Sequence, residues 1–457
     1  MIHTILSFAV RRSACRLCAC IVVAIVATMP CLAEAGAQNI PCRRPFIFQG
    51  AAVNVVVLPY ESAPGLPAAG GIGERLAGLM QLEVLRSIAK FGSVGAVQMV
   101  GSPADCDPEL VIGKLLGRVP GAATTLRQGH GLVVVWGRFY NESGNVFVQT
   151  FCRLIRAGAD ETFELVAGGR PFSAQISAQA FACAPRKVTV PDLRNFEEQF
   201  LRSTIVRATP QESASGTRMP SAPQPYWISD TQGDWMKIAS QGGLQGWIRL
   251  SGARDEWSLA RWLPELTYIE GMAGYLRSRI AAQQRSDVRA EWMENAARAL
   301  AEYEKSVDTQ PAGDPGSRSA WRTALAGAVQ LQLRGILATL KPQASADDRA
   351  NALNLFERAA TMIPHDGNAR NLVAVMRLSQ ALGSSNPGPS LKAAADDLLR
   401  ALGADPGNPR LLANLQGAYE ALLAQSDAAT PLLTDDERRT ITERLGAIKQ
   451  VRSAKPG

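Results

Sequence analysis

Residues 352–364 read ALNLFERAATMIP: a small residue, an aromatic four positions on, a small residue three later and a proline five beyond that. The same frame recurs as Ala299, Tyr303, Ser306 and Pro311, and again as Ala394, Leu398, Ala401 and Pro406. Small residues let two helices approach closely and the large one fills the space between them. Proline has no N–H for the ladder, so it stops the helix. Ala299, Tyr303, Ala352, Phe356, Ala359, Ala394, Leu398 and Ala401 are therefore read as packing positions of stacked helical hairpins over 287–452, with Pro311, Pro364 and Pro406 as stops. Residues 311–319 and 383–389 read as loops.

After the third stop, Leu412, Leu415 and Tyr419 fall where the first helix of a following unit would pack on its neighbour. The pattern resembles tetratricopeptide repeats, and the resemblance implies an array that binds other proteins. The stops lie 53 and 42 residues apart, against about 34 in that family, so longer helices or loops are expected instead of a regular solenoid. An ordinary helical bundle whose Ala-rich faces share a stop signal is the alternative reading.

At the other end, Arg11, Arg12 and Arg16 precede an apolar run from Leu17 to Leu32, followed by Ala33-Glu34-Ala35 and Ala35-Gly36-Ala37. A basic start, an apolar centre and small residues at a cleavage site make residues 1–35 a secretory signal peptide. The run is short for a span, and Pro30 interrupts it. Cys31 follows Met29-Pro30, the wrong setting for lipidation. The expectation is a periplasmic or secreted protein with no integral membrane span after cleavage. A retained anchor is the alternative.

Four cysteines, Cys42, Cys106, Cys152 and Cys183, remain beyond the leader, all in the first half of the chain. In an oxidising compartment they suggest two disulfides, with three connectivities open. No C-x2-C pair remains, and His130 and His365 are far apart, so no metal site is expected. Removing residues 1–35 takes three Arg and one Glu and lowers the net charge from +7 to +5. That mild, scattered charge offers no basic cluster interleaved with aromatics, and no nucleic-acid partner is expected.

Residues 45–200 read as an α/β (α+β) domain. Val53 to Leu58 is a buried strand ending at Pro59. A Gly/Pro-rich loop, an amphipathic helix from Leu76 to Ile88 and a strand from Val94 to Val100 complete a parallel unit. Strands are then expected at 110–116, 132–140, 146–155 and 162–167, with a tight turn at 141–145. The Val-Val-Val-Leu-Pro-Tyr run and its trailing helix resemble the opening unit of the TolB amino-terminal domain and of the curli-secretion lipoproteins. That likeness implies an envelope assembly or secretion role, and the missing lipid-acceptor Cys departs from the second family. Gly70-Gly71-Ile72-Gly73 lacks a phosphate-loop frame and reads as a turn.

Residues 202–252 carry Tyr226-Trp227-Ile228, then Gly233-Asp234-Trp235-Met236-Lys237-Ile238, a Gly242-Gly243 turn and Gly246-Trp247-Ile248. Short strands with Trp over a small core and Gly where backbones crowd predict a compact barrel, with Ile205 to Pro210 as its opening strand. The closing hairpin resembles the bacterial SH3-like domain. By that resemblance Trp227, Trp235 and Trp247 are candidates for binding cell-wall peptides, the alternative being that they form the core. An apolar stripe over 256–284, including Trp257, Trp262, Leu266 and Ile269, reads as a helix connecting barrel to array.

No G-x-S-x-G elbow, H-E-x-x-H or P-loop is present. The acidic pairs Asp347-Asp348, Asp396-Asp397 and Asp435-Asp436 read as helix-start charges. No catalytic residue and no cofactor are expected. The chain reads as a multidomain exported adaptor: an α/β domain, an SH3-like barrel and a tetratricopeptide-like array, with envelope proteins or a peptidoglycan peptide as partners. A cell-wall enzyme with a cryptic site in the first module and an envelope assembly component are the alternatives.

Overall fold

The computed structural model describes residues 40–47, 49, 51–62, 76–77, 80, 83–84, 94–102, 104–120, 126–142, 144–157, 161–177, 180–188, 204–218, 226–240, 244–249, 263–280, 286–308, 318–341, 344–426 and 432–454. Residues 1–35, Gly70-Gly71-Ile72-Gly73, Gly242-Gly243, Trp257, Trp262 and Pro311 lie outside them, as does the side chain of Trp227.

In chain order the first half forms β1 (Ile40–Pro41), β2 (Val53–Ser62), β3 (Val94–Val100), α1 (Pro108–Leu115), β4 (Gly131–Glu142), β5 (Asn145–Arg156), β6 (Thr162–Ala167), β7 (Arg170–Gln175), β8 (Ala180–Ala182) and β9 (Arg186–Val188). A mixed sheet runs β1-β3-β2-β4-β5-β8, with β9 also on β5. β2 lies between β3 and β4, parallel to both, while β4 and β5 form an antiparallel hairpin. Residues 53–58 are all buried, as a parallel strand covered on both faces requires. Val56, Leu58, Val97 and Val134 face α1 and the Cys42–Cys106 disulfide. Val55, Val57, Val133 and Leu154 face the helical residues Leu76, Met80 and Val84 and the helices beyond.

Two strand expectations are corrected. Residues 110–116 form the body of α1, because Asp107 caps the helix by accepting from the Leu110 N–H and Pro108 takes the first turn, where its missing N–H costs nothing. β2 also continues through Pro59 to Ser62. Its pairing with β3 ends at Val57, and its register with β4 shifts between Val57 and Tyr60, so the ladder has no bond that depends on a Pro59 N–H.

A second, five-stranded antiparallel sheet is ordered β11-β10-β14-β13-β12, from β10 (Ile205–Arg207), β11 (Gly216–Arg218), β12 (Tyr226–Gln232), β13 (Trp235–Ser240) and β14 (Gln245–Arg249). β11 arises within the Ser/Pro/Gly-rich stretch between Pro210 and Tyr226. Val206, Met236, Ile238 and Ile248 are buried in the same cluster as the first sheet and the helices.

The helices are α2 (Glu265–Ile280), α3 (Ser286–Asp308), α4 (Arg318–Thr339), α5 (Ala346–Met362), α6 (Gly367–Leu382), α7 (Gly388–Ala404), α8 (Pro409–Ser426) and α9 (Asp435–Ala454). They pair as α2–α3, α4–α5, α6–α7 and α8–α9, and the first helix of each pair touches the first helix of the next. Ala299, Tyr303, Ala352, Phe356, Ala359, Ala394, Leu398, Ala401, Leu415 and Tyr419 are buried and Leu412 packs at the edge of the core. A Cβ on Gly335 of α4 would lie 2.4 Å from the Phe356 ring, so the ring occupies space that only glycine leaves open. Pro364 and Pro406 lie in the turns after α5 and α7. The stripe expected over 256–284 contains α2, which lies against β2, β4 and β5 as well as α3 and so covers a face of the first sheet. Asp396-Asp397 falls within α7, not at a helix start, and Asp397 pairs with Arg377, which also holds Glu357 (2.6 Å).

Candidate functional site

The second sheet brings Trp235 to an open cleft. The turn Gly233-Asp234 joins β12 to β13, so Trp235 begins β13 opposite Arg249 of β14. Pro210 and Glu212 come from the turn between β10 and β11, and Arg249 ion-pairs with Glu212. With Gln232, Gly233 and Asp234 these residues border an open cleft of about 550 Å³. Trp235 is half-buried there, whereas Trp247 is buried between Arg207 and Lys237 on its neighbouring strands. The wall of the cleft therefore offers a flat indole, a proline and charges of both signs. Such a surface suits an extended peptide, because an indole contributes contact area with little loss of rotamer freedom.

The inner face of the helical array carries a second arrangement. α2 covers β4, α4 meets β8, α6 meets β6 and β7, and α8 meets β7. The β6–β7 hairpin turns through Gly168 and Gly169, both at positive φ (55° and 74°), the two-residue turn whose twist matches its strands. Its apolar face presents Phe163, Phe172 and Ala174 to the helices. Phe163 meets Phe356 edge-on at 6.1 Å between centroids.

Three buried amides bind the edge of this hairpin through its main chain. The Ser173 N–H donates to Asn414 Oδ1 (3.2 Å), and its carbonyl accepts from Nδ2 of Asn414 (2.6 Å) and of Asn371 (3.1 Å). Asn414 Nδ2 also donates to Asn371 Oδ1 (2.8 Å), and the Ser177 N–H donates to Gln332 Oε1 (2.9 Å). Gln332, Asn371 and Asn414 lie on α4, α6 and α8, the first helices of three successive pairs. Asn371 and Asn414 close the outer edge of β7 at Ser173 as a neighbouring strand would, Gln332 holds the chain just beyond β7 at Ser177, and the array's inner face is filled by the chain's own hairpin.

A third cluster holds Cys152, Cys183, Tyr60, Tyr268, Tyr303 and Glu265, all buried. Burial pushes the Cys183 thiol well up, and it hydrogen-bonds with Cys152 and Tyr303. Burial also raises Glu265, against the pull of Arg186 at 3.0 Å. A thiol raised in this way is a poor nucleophile. Of the two disulfides expected, one is present, Cys42–Cys106, while Cys152 and Cys183 are free thiols.

The sequence reading brought Trp235 and Trp247 to one hairpin, and the structure covers Trp247 between Arg207 and Lys237 while leaving Trp235 half-open at the cleft. It overlooked Pro210, Glu212 and Arg249, which only the turn between β10 and β11 brings near Trp235. It also overlooked Gln332, Asn371 and Asn414. A signal for the last two existed: Asn414 follows Asn371 by 43 residues, close to the spacing of Pro364 and Pro406, and each interrupts an apolar stripe. Among the described residues, no group of three His, Cys, Asp or Glu side chains could hold a metal ion, and no helix is long and apolar enough to cross a membrane. The chain matches no family model, no curated protein and no solved structure.

Proposed function

We propose that this protein is an exported, non-catalytic adaptor of the cell envelope that takes an extended peptide, from a protein or the cell wall, in the cleft beside Trp235. The observation that carries this reading is the contrast between two indoles of one hairpin: Trp247 is buried, while Trp235 stands half-open beside Pro210 and the Glu212–Arg249 pair. A Trp needed only for the core has no reason to line an open cleft of this size. In this reading β10 to β14 form an SH3-like barrel and α2 to α9 a tetratricopeptide-like array. The array supports the site instead of receiving the ligand, because its inner face already holds β6 and β7. The Cys42–Cys106 bond suits an oxidising compartment.

The test is retention of the full mature chain on purified cell-wall sacculi and on immobilised envelope extract, with Trp235→Ala alongside. Retention of the parent with at least a tenfold loss in Trp235→Ala, at unchanged thermal stability, supports the reading. No retention of the parent on either matrix, or equal retention of the variant, overturns it.

A further inference from the structure

Arg249 is the cross-strand partner of Trp235, so a guanidinium stands beside the half-open indole at the cleft. Its ion-pair partner Glu212 comes from the turn between β10 and β11, and both side chains are exposed, 46% for Arg249 and 64% for Glu212. A pair so open to water contributes little to stability, because solvent screens it and two long side chains must be held in one geometry. The turn does not depend on it. The Ala208 N–H donates to the Ser215 carbonyl (3.0 Å) and the Ala214 N–H to the Gln211 carbonyl (3.1 Å), while Arg207 Nη1 donates to the Ala214 carbonyl (2.8 Å). Glu212 can therefore leave Arg249 while the turn stays folded.

A guanidinium is planar and permanently charged, and its N–H groups match the two oxygens of a carboxylate. Glu212 is thus a carboxylate already seated where one from a ligand would sit. It also sets the charge of the cleft. Glu212 and Asp234 against Arg249 leave one net negative charge, which opposes an incoming carboxylate. With Glu212 turned out to water, Asp234 and Arg249 balance, and the charged neighbour of Trp235 across the strands is a cation.

Resting on the peptide reading of this cleft, we infer that the peptide held at Trp235 carries a carboxylate that displaces Glu212 from Arg249, so that Glu212 is a built-in competitor for the site. The experiment measures retention of the full mature chain on sacculi and on immobilised envelope extract, each before and after its carboxyl groups are amidated with carbodiimide and ammonia. The parent is compared with Glu212→Gln, Arg249→Gln and Trp235→Ala, all checked for unchanged thermal stability. The expected result is Trp235-dependent retention that falls at least fivefold on the amidated matrix. Glu212→Gln is expected to bind the untreated matrix at least threefold more tightly than the parent, and Arg249→Gln to bind untreated and amidated matrices alike. The matrix that shows this pattern identifies the source of the peptide. An ion pair with only a structural role gives no gain in Glu212→Gln. Trp235-dependent retention that amidation leaves unchanged, or a Glu212→Gln variant no tighter than the parent, overturns the inference and leaves the Trp235 reading standing. No retention of the parent on either untreated matrix overturns both.

Discussion

Trp235 and Trp247 lie on adjacent strands of one hairpin and are expected to respond oppositely to truncation. Trp247→Ala removes a buried indole set between Arg207 and Lys237 and is expected to cost about 3 kcal/mol, measured by denaturant unfolding. Trp235→Ala is expected to cost about 1 kcal/mol or less and to remove ligand retention. Asp348 gives a pH signature. Its hydrogen bond with Lys341, followed by those with the Ser345 backbone and hydroxyl in the capping box, holds its carboxyl down to about 2, below the ordinary 3.8. The folded value is depressed, so its contribution to stability is present above the ordinary carboxylate range and is lost as pH falls through about 2. In acid titrations of thermal stability, Asp348→Asn should flatten the decline of the parent over that interval. The box itself was legible as Ser345 followed three residues later by an acid. The Lys341 partner was not, because only the turn before α5 brings it back within 2.6 Å.

The β6–β7 hairpin shows how an element is decided by what covers it. Its turn was legible, since Gly168-Gly169 between apolar-alternating runs is a strong hairpin signal, and Phe172 and Ala174 mark its buried face. Its destination was not legible, because the amides that close its edge come from residues 155 to 241 positions away. Asn414→Ala should strand the Ser173 N–H and one acceptor bond of Asn371. The expected cost is about 1–3 kcal/mol, with faster hydrogen exchange at Ser173 than at the internally paired positions of the hairpin. Gly417→Ala should act on the same element by sterics, since the added Cβ would lie 2.8 Å from the Phe172 ring. α1 shows the converse: an apolar run that suits a strand becomes a helix because Asp107 and Pro108 set its first turn.

At the scale of the whole molecule, the modules share one core. α2 covers the first sheet, the hairpin fills the array, and residues of the second sheet belong to the same buried cluster. Removing residues 286–457 should therefore unfold the N-terminal half, seen as loss of its cooperative thermal transition and near-ultraviolet signal, instead of releasing a stable domain. Reducing Cys42–Cys106, which closes a separation of 64 residues, is expected to lower stability by about 4 kcal/mol. By itself the sequence determined the elements whose signals are local: the helical hairpins, from small residues, aromatics and stops at fixed spacing; the parallel unit, from a continuous apolar strand before a helix; and the aromatic hairpin, from Gly-Trp steps. Only the tertiary structure decided that the array's inner face is filled from within, that Trp235 is half-open while Trp247 is covered, and that Arg277 is buried against the Trp292 ring. Local signals arise within a turn or two of chain. Burial and pairing depend on groups hundreds of residues apart, brought together only when the whole core condenses.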